Sequence, residues 1–115
     1  MIEERPWGTY EILYEDESCK VKKIVVHPGK RLSYQYHEKR DEHWIITQGI
    51  AYINIDGRIS TRHPGENIFI PRLSKHRVTP LSSNFDGNLE FIEIQTGDSF
   101  DESDIVRIED DFNRN

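Results

Sequence analysis

Cysteine is all but missing from these 115 residues: Cys19 stands alone, so no internal disulfide can staple the chain. That usage suits a reducing compartment, and a cytoplasmic location is expected. Long apolar runs are also lacking. The opening Met1-Ile-Glu-Glu-Arg-Pro carries none, so neither a signal peptide nor a membrane span is expected. Positive charge is in short supply, with 15 Lys and Arg against 21 Asp and Glu, for a net charge of −6. Seven acids between Asp98 and Asp111, opposed only by Arg107, account for that whole excess. The rest of the chain is balanced, offers no basic face wide enough to follow a phosphate backbone, and predicts no nucleic-acid partner. Helical periodicity is absent before residue 98, which argues against a helical bundle.

What is present is alternation. Lys20 to Val26 is a β-rich run stopped by Pro28-Gly29. From Arg31 to His37, Leu32, Tyr34 and Tyr36 point one way and Ser33, Gln35 and His37 the other. Glu42 to Thr47 is a third run. Ala51, Ile53 and Ile55 alternate up to Asp56-Gly57, a strong hairpin signal, and Arg58 to Arg62 is the expected return strand. Short runs follow at Asn67 to Ile70 and His76 to Thr79, then a polar loop over Ser82 to Asn88 and a long run from Leu89 to Gln95. Short strands between Gly- and Pro-rich turns predict an all-β barrel or double-sheet sandwich. One domain is expected over residues 1–115: a barrel with an N-terminal strand over 5–97, then an acidic tail over 98–115 packing on it. The tail is expected to be helical or irregular, with Ser99 or Asp101 capping a turn that carries Ile105 and Val106. A chain this small buries little core for its surface, and a barrel edge can pair two copies, so a homodimer is expected.

The residues with chemistry are Gln35, His37, Glu42, His43 and His76. Gln35 and His37 leave the same face of one strand, which makes that face unusually polar for a barrel interior. Glu42 follows across the charged turn Glu38-Lys39-Arg40-Asp41, and His76 opens a later strand after Pro71. An amide oxygen, two imidazoles and a carboxylate form an N/O donor set that suits one divalent ion (Zn, Mn, Co, Ni or Fe) with positions left open. The same pattern also describes a solvated polar face, with Glu42 paired to Lys39 or Arg40. Lys22 shares a strand face with Ile24 and Val26, where an inward lysine needs an anion to meet.

The run Gly29-Lys-Arg-Leu-Ser-Tyr-Gln-Tyr-His-Glu-Lys-Arg-Asp-Glu-His-Trp, continuing to Gly49, resembles the first cupin motif in its type II mannose-6-phosphate isomerase version. Gln35, His37 and Glu42 fall on its first three metal-ligand positions. Gly65, Pro71 and His76 match the second motif, with His76 at the fourth position. The usual glycine two after the proline is Leu73 here, and the usual closing asparagine is Pro80. Arg5-Pro-Trp-Gly resembles the family's opening. Glu93-Ile-Gln-Thr-Gly and Asp104-Ile-Val-Arg-Ile-Glu-Asp-Asp-Phe-Asn-Arg resemble its end, so the likeness runs over residues 5–114. Two departures stand out: the family often has histidines at the positions of Glu38 and Lys39, and an aromatic-glycine-arginine ending where Phe112-Asn-Arg stands.

The resemblance implies a cupin jelly roll and a metal-dependent aldose–ketose isomerase, interconverting mannose 6-phosphate and fructose 6-phosphate through an enediol(ate). The metal would rest on Gln35, His37, Glu42 and His76. Glu42 is the first expectation for the base and Glu93 the reserve; Glu93 faces inward only if the Leu89/Phe91/Glu93/Gln95 row does. Arg114 matches the family's terminal arginine and is expected to serve the reaction and hold the phosphate, with Lys22 and Arg107 as further phosphate ligands. Many relatives carry a sugar-nucleotide pyrophosphorylase domain first, and 115 residues leave no room for it, so guanylyl transfer is not expected. Other readings are a non-catalytic sugar-phosphate-binding cupin, an isomerase of another phosphorylated sugar, Fe(II) oxygenase chemistry, and a purely structural barrel.

Overall fold

Period-two alternation carries through into the three-dimensional structure, a computed structural model that describes residues 1–81 and 87–114. Its strands are β1 (Ile2–Arg5), β2 (Gly8–Glu15), β3 (Lys20–Val26), β4 (Tyr34–Tyr36), β5 (Arg40–Gln48), β6 (Ala51–Ile55), β7 (Arg58–Arg62), β8 (Asn67–Ile70), β9 (His76–Pro80), β10 (Leu89–Gly97) and β11 (Val106–Glu109). They form two antiparallel sheets, ordered β1-β2-β3-β10-β5-β8 and β11-β4-β9-β6-β7. Among the described residues there is no helix, so none is long and apolar enough to cross a membrane.

Turn chemistry places the strands as the sequence predicts. Asp56 and Gly57 both have positive φ, 51° and 87°, which closes the β6–β7 hairpin in the sense that matches strand twist. Gly8 is required for a different reason: a side chain there would run into the Val25 carbonyl across the β2–β3 pair. Leu73, at the position where the motif usually has glycine, takes φ 72° and stays exposed. Its amide donates to the His37 carbonyl at 2.7 Å, so this loop is tied directly to the strand end that carries a candidate ligand.

The inward rows of β3, β5 and β10 are buried at every second residue. Their apolar members, with Trp7, Tyr10, Ile53, Ile68, Ile70 and Val78, make one core cluster between the sheets. That burial drives the fold, at roughly 1.5–3 kcal/mol for each large side chain taken from water.

Three expectations change. β1 and most of β2 are strands that alternation does not announce, because β1 and the far half of β2 are exposed on both faces. The run predicted over Arg31 to His37 is regular only at Tyr34–Tyr36. The tail is neither helical nor irregular throughout: Val106–Glu109 adds β11 to the free edge of β4, pairing Arg107 with Gln35. An unpaired strand edge offers backbone partners that an isolated helical turn, with its costly nucleus, lacks. Residues 82–86 of the predicted Ser82–Asn88 loop lie outside the described residues.

Candidate metal centre

Three ligand-type residues converge inside the barrel. His37 follows β4, Glu42 is the inward third residue of β5, and His76 opens β9; their ligand atoms lie within 4.8 Å of one another, and all three are buried. Gln35 is directly opposite His76 in the β4–β9 pair. It too is buried, and its Oε1 has no hydrogen-bond partner among the described residues; nor has Nε2 of His76. Buried acceptors left unpaired are costly, of order 1–3 kcal/mol each, and here two of them belong to the residues the motif singles out.

Backbone carbonyls orient both imidazoles. Nδ1 of His37 lies 2.7 Å from the Asp104 carbonyl, and Nδ1 of His76 lies 2.9 Å from that of Ser74. Each ring therefore donates through Nδ1 and turns the lone pair of Nε2 inward, the arrangement that second-shell carbonyls impose on metal-binding histidines. Burial, reinforced by the Arg40 guanidinium, lowers the His37 pKa to about 4, and burial also lowers that of His76. Both rings are thus neutral, the state in which imidazole binds metal.

Glu42 is fixed from both sides. Its Oε2 accepts from Nε of Arg40 at 2.9 Å and lies 3.1 Å from Nε2 of His37, while its Oε1 accepts from the Trp44 indole at 3.0 Å. Burial alone would raise its pKa, but Arg40 and His76 hold it below the usual value. The Leu89/Phe91/Glu93/Gln95 row does face inward, and Glu93 with it. Burial, and the Glu42 carboxylate to which it is hydrogen-bonded, raise the Glu93 pKa to about 7. The Gln95 amide donates to Glu93 at 2.7 Å.

The three expected phosphate ligands all line this same cavity. Lys22 meets Glu102 at 2.6 Å. Arg114 is gripped by both oxygens of Asp110, at 2.7 and 3.0 Å, so the acidic tail holds its guanidinium at the mouth. Arg107 has a buried Nε with no hydrogen-bond partner among the described residues. His43 lies away from the centre, on the outer face beside Phe69 and Asn67. Sequence reasoning missed Lys20, Arg40, Gln95 and Glu102. Strand parity was the available signal: Lys20 lies two before Lys22, Arg40 two before Glu42, and Gln95 two after Glu93.

The family described as mannose-6-phosphate isomerase C-terminal matches residues 2–110. The chain belongs to that family. A mannose-1-phosphate guanylyltransferase of Sinorhizobium fredii is 38% identical over 107 residues, which are 93% of this chain and 20% of that protein. The guanylyltransferase ManC of Salmonella typhimurium is 37% identical over 96% of this chain and 22% of its own length. The alginate biosynthesis protein AlgA of Pseudomonas aeruginosa is 39% identical over the same shares. The chain thus spans about a fifth of the curated relatives it matches. Among solved structures, a Lactobacillus farciminis oxalate decarboxylase superposes with TM-score 0.79 at 17% identity, over 94% of this chain and 33% of that one. KdgF from Halomonas superposes with TM-score 0.77 at 15% identity, over 87% of this chain and 88% of that one. These two show the cupin fold alone.

The relatives correct the expected activity. Those of Sinorhizobium fredii and Salmonella typhimurium are named for guanylyl transfer to mannose 1-phosphate, a nucleotidyl transfer, and the expectation of a metal-dependent mannose-6-phosphate isomerase is withdrawn, for the function and for the enzyme class. A fold shared across a family does not carry one chemistry with it. Nor does length speak against guanylyl transfer, since these residues correspond to about a fifth of proteins named for it.

Proposed function

We propose that these residues form a metal-holding cupin that binds a mannose phosphate in support of the guanylyl transfer for which the relatives are named. The observation that carries the reading is the pair of orphaned acceptors, Gln35 Oε1 and His76 Nε2, beside the neutral Nε2 of His37 and the anionic Glu42. Two neutral imidazole nitrogens, one amide oxygen and one carboxylate fit a divalent ion such as Zn, Mn, Co, Ni or Fe. When bound, such an ion supplies a Lewis acid for sugar oxygens. Gln35, His37, Glu42 and His76 hold it; Arg40 and Trp44 keep the two oxygens of Glu42 from rotating away.

The charge of the cavity supports the anionic half of the ligand. Five cationic residues line it (Arg5, Lys22, Arg40, Arg107 and Arg114) against three acids, in a chain whose net charge is −6. A cation-lined cleft in an acidic protein focuses field toward an anion. Arg107, whose Nε has no hydrogen-bond partner among the described residues, is the side chain best placed to take a phosphoryl oxygen, and Arg114 stands beside it in a fork already oriented by Asp110.

Calorimetric titration of chelator-stripped protein with each metal, and then with mannose 1-phosphate, tests this. Tight binding of one metal ion, lost in His76→Ala, followed by mannose 1-phosphate binding that Arg107→Met weakens by about tenfold or more, is the expected result. Folded protein that takes up neither metal nor mannose 1-phosphate refutes the reading.

A further inference from the structure

Two lysines of β3, Lys22 in the cavity wall and Lys20 two residues before it, are buried deeper than lysines normally go. Lys20 and Lys22 are 5% and 4% exposed, and both ammonium groups end on one carboxylate, Glu102. Nζ of Lys20 donates to its Oε2 at 2.8 Å and Nζ of Lys22 to its Oε1 at 2.6 Å; Lys20 also meets the Phe100 carbonyl at 3.1 Å. Tyr10 holds Lys22 in place, its ring centroid 4.2 Å from Nζ. Buried cations demand an anion. The anion they have comes from outside the barrel: the Glu102 side chain is 43% exposed, on a segment where no residue from 98 to 104 is buried.

That segment is a strap tied down mainly by polar contacts. Asp98 donates its amide to the Lys39 carbonyl, Nη1 of Arg40 reaches the Asp101 carbonyl at 3.4 Å, and the Asp104 carboxylate accepts from the amides of Glu38 and Lys39. Phe100, half-buried, is the one large apolar side chain in the segment that opposes its lifting. Beneath it, Lys20 pairs with Gln95, which pairs with Glu42. Two strand spacings, roughly 10 Å, thus separate the lysine from the candidate metal ligand. On the other sheet Arg107 pairs with Gln35 and Gln35 with His76, the same two steps. Cationic groups therefore flank the centre from both sheets.

We propose that Lys20 and Lys22 form a second anion subsite, one that takes a phosphoryl group in exchange for Glu102 and frees the 98–104 strap as it does so. A phosphoryl group presents two oxygens on one centre to the same two ammonium groups, as the carboxylate does, and brings at least as much charge. Glu102 is then the resident stand-in for the ligand. The proposal rests on the anion-binding reading of the cavity given above.

Inorganic phosphate is the probe, titrated into the chelator-treated 115-residue chain. Glu102→Gln keeps a hydrogen-bonding side chain and removes the competing charge; it is expected to tighten phosphate binding by about tenfold. Adding Lys20→Met and Lys22→Met to it is expected to abolish that gain. In the unmutated chain, saturating phosphate is expected to speed backbone amide exchange across residues 98–104, a readout that needs no variant to fold. Phosphate affinity unchanged or weakened by Glu102→Gln, or exchange of the strap unmoved by saturating phosphate, overturns the subsite. If binding is indifferent to Glu102→Gln but lost in Arg107→Met, the lysine subsite fails while the reading of the cavity stands. Absence of phosphate binding in both the unmutated chain and Glu102→Gln sinks the two together.

Discussion

One half of the barrel interior is built like a protein core and the other half like a solvent-filled site, and the same strands supply both. Along β10 the inward row runs Leu89, Phe91, Glu93, Gln95; along β3 it runs Val26, Ile24, Lys22, Lys20; along β5 it runs Ile46, Trp44, Glu42, Arg40. Registered pairing lines these rows up, so Ile24, Phe91 and Ile46 share one level and Lys20, Gln95 and Glu42 another. The change from apolar to polar happens at nearly the same height on all three strands, with Trp44 capping the apolar side and donating to Glu42. Stability comes from one half and candidate chemistry from the other, a division in which the working half carries buried groups that weaken the fold.

The largest test of that division is truncation in the apolar half. Phe91 is fully buried and its ring lies against Trp44, centroids 4.6 Å apart. Phe91→Ala is expected to cost about 3–5 kcal/mol through lost burial and a cavity. Denaturant unfolding in chelator measures it. A loss below about 1 kcal/mol would mean that the apolar half does not carry the fold.

A smaller effect of opposite sign is expected across the boundary. Gln35→Leu removes an oxygen that has no partner among the described residues and replaces it with a side chain of similar size. Chelator-treated protein is expected to gain about 1 kcal/mol in unfolding free energy, because a buried unsatisfied acceptor disappears. The same variant is expected to bind metal more weakly. Stability gained as affinity is lost would sharpen the contrast between the halves; stability lost would show that Gln35 packs as an ordinary core residue.

The division was legible in part. Alternation in β3 and β10 exposed the inward rows, and the donor residues Gln35, His37, Glu42 and His76 stood out because polar groups occupied a face that a barrel interior would fill with apolar ones. The tail misled for a physical reason. In β11 it is Arg107 that turns toward the cavity while Val106 and Ile108 stay exposed, the reverse of the apolar-in rule on which strand reading depends. Arg40 was hidden in a charged turn, and Glu102 in an acidic stretch that reads as a solvated tail; only the fold reveals that each meets a buried opposite charge. The activity was not legible at all, because a donor set fixes what can be held and says nothing of which bond is broken.

The smallest effect concerns the rim of the polar half, where Asp110 grips Arg114 with both oxygens. That hydrogen bonding, more than any other influence, lowers the Asp110 pKa to about 2 from 3.8. A carboxyl whose folded pKa lies below its unfolded value adds stability above the unfolded pKa and loses it as pH falls through the folded one. The contribution is therefore complete at neutral pH, begins to fade near pH 4, and is gone below about pH 2. Asp110→Asn is expected to cost about 1 kcal/mol or less at pH 7, in line with a partly exposed ion pair. The gap between variant and unmutated chain should close as unfolding is repeated toward pH 2. A gap that persists there would mean Asp110 acts through its backbone contacts rather than its charge, and that the rim stays closed without the ion pair.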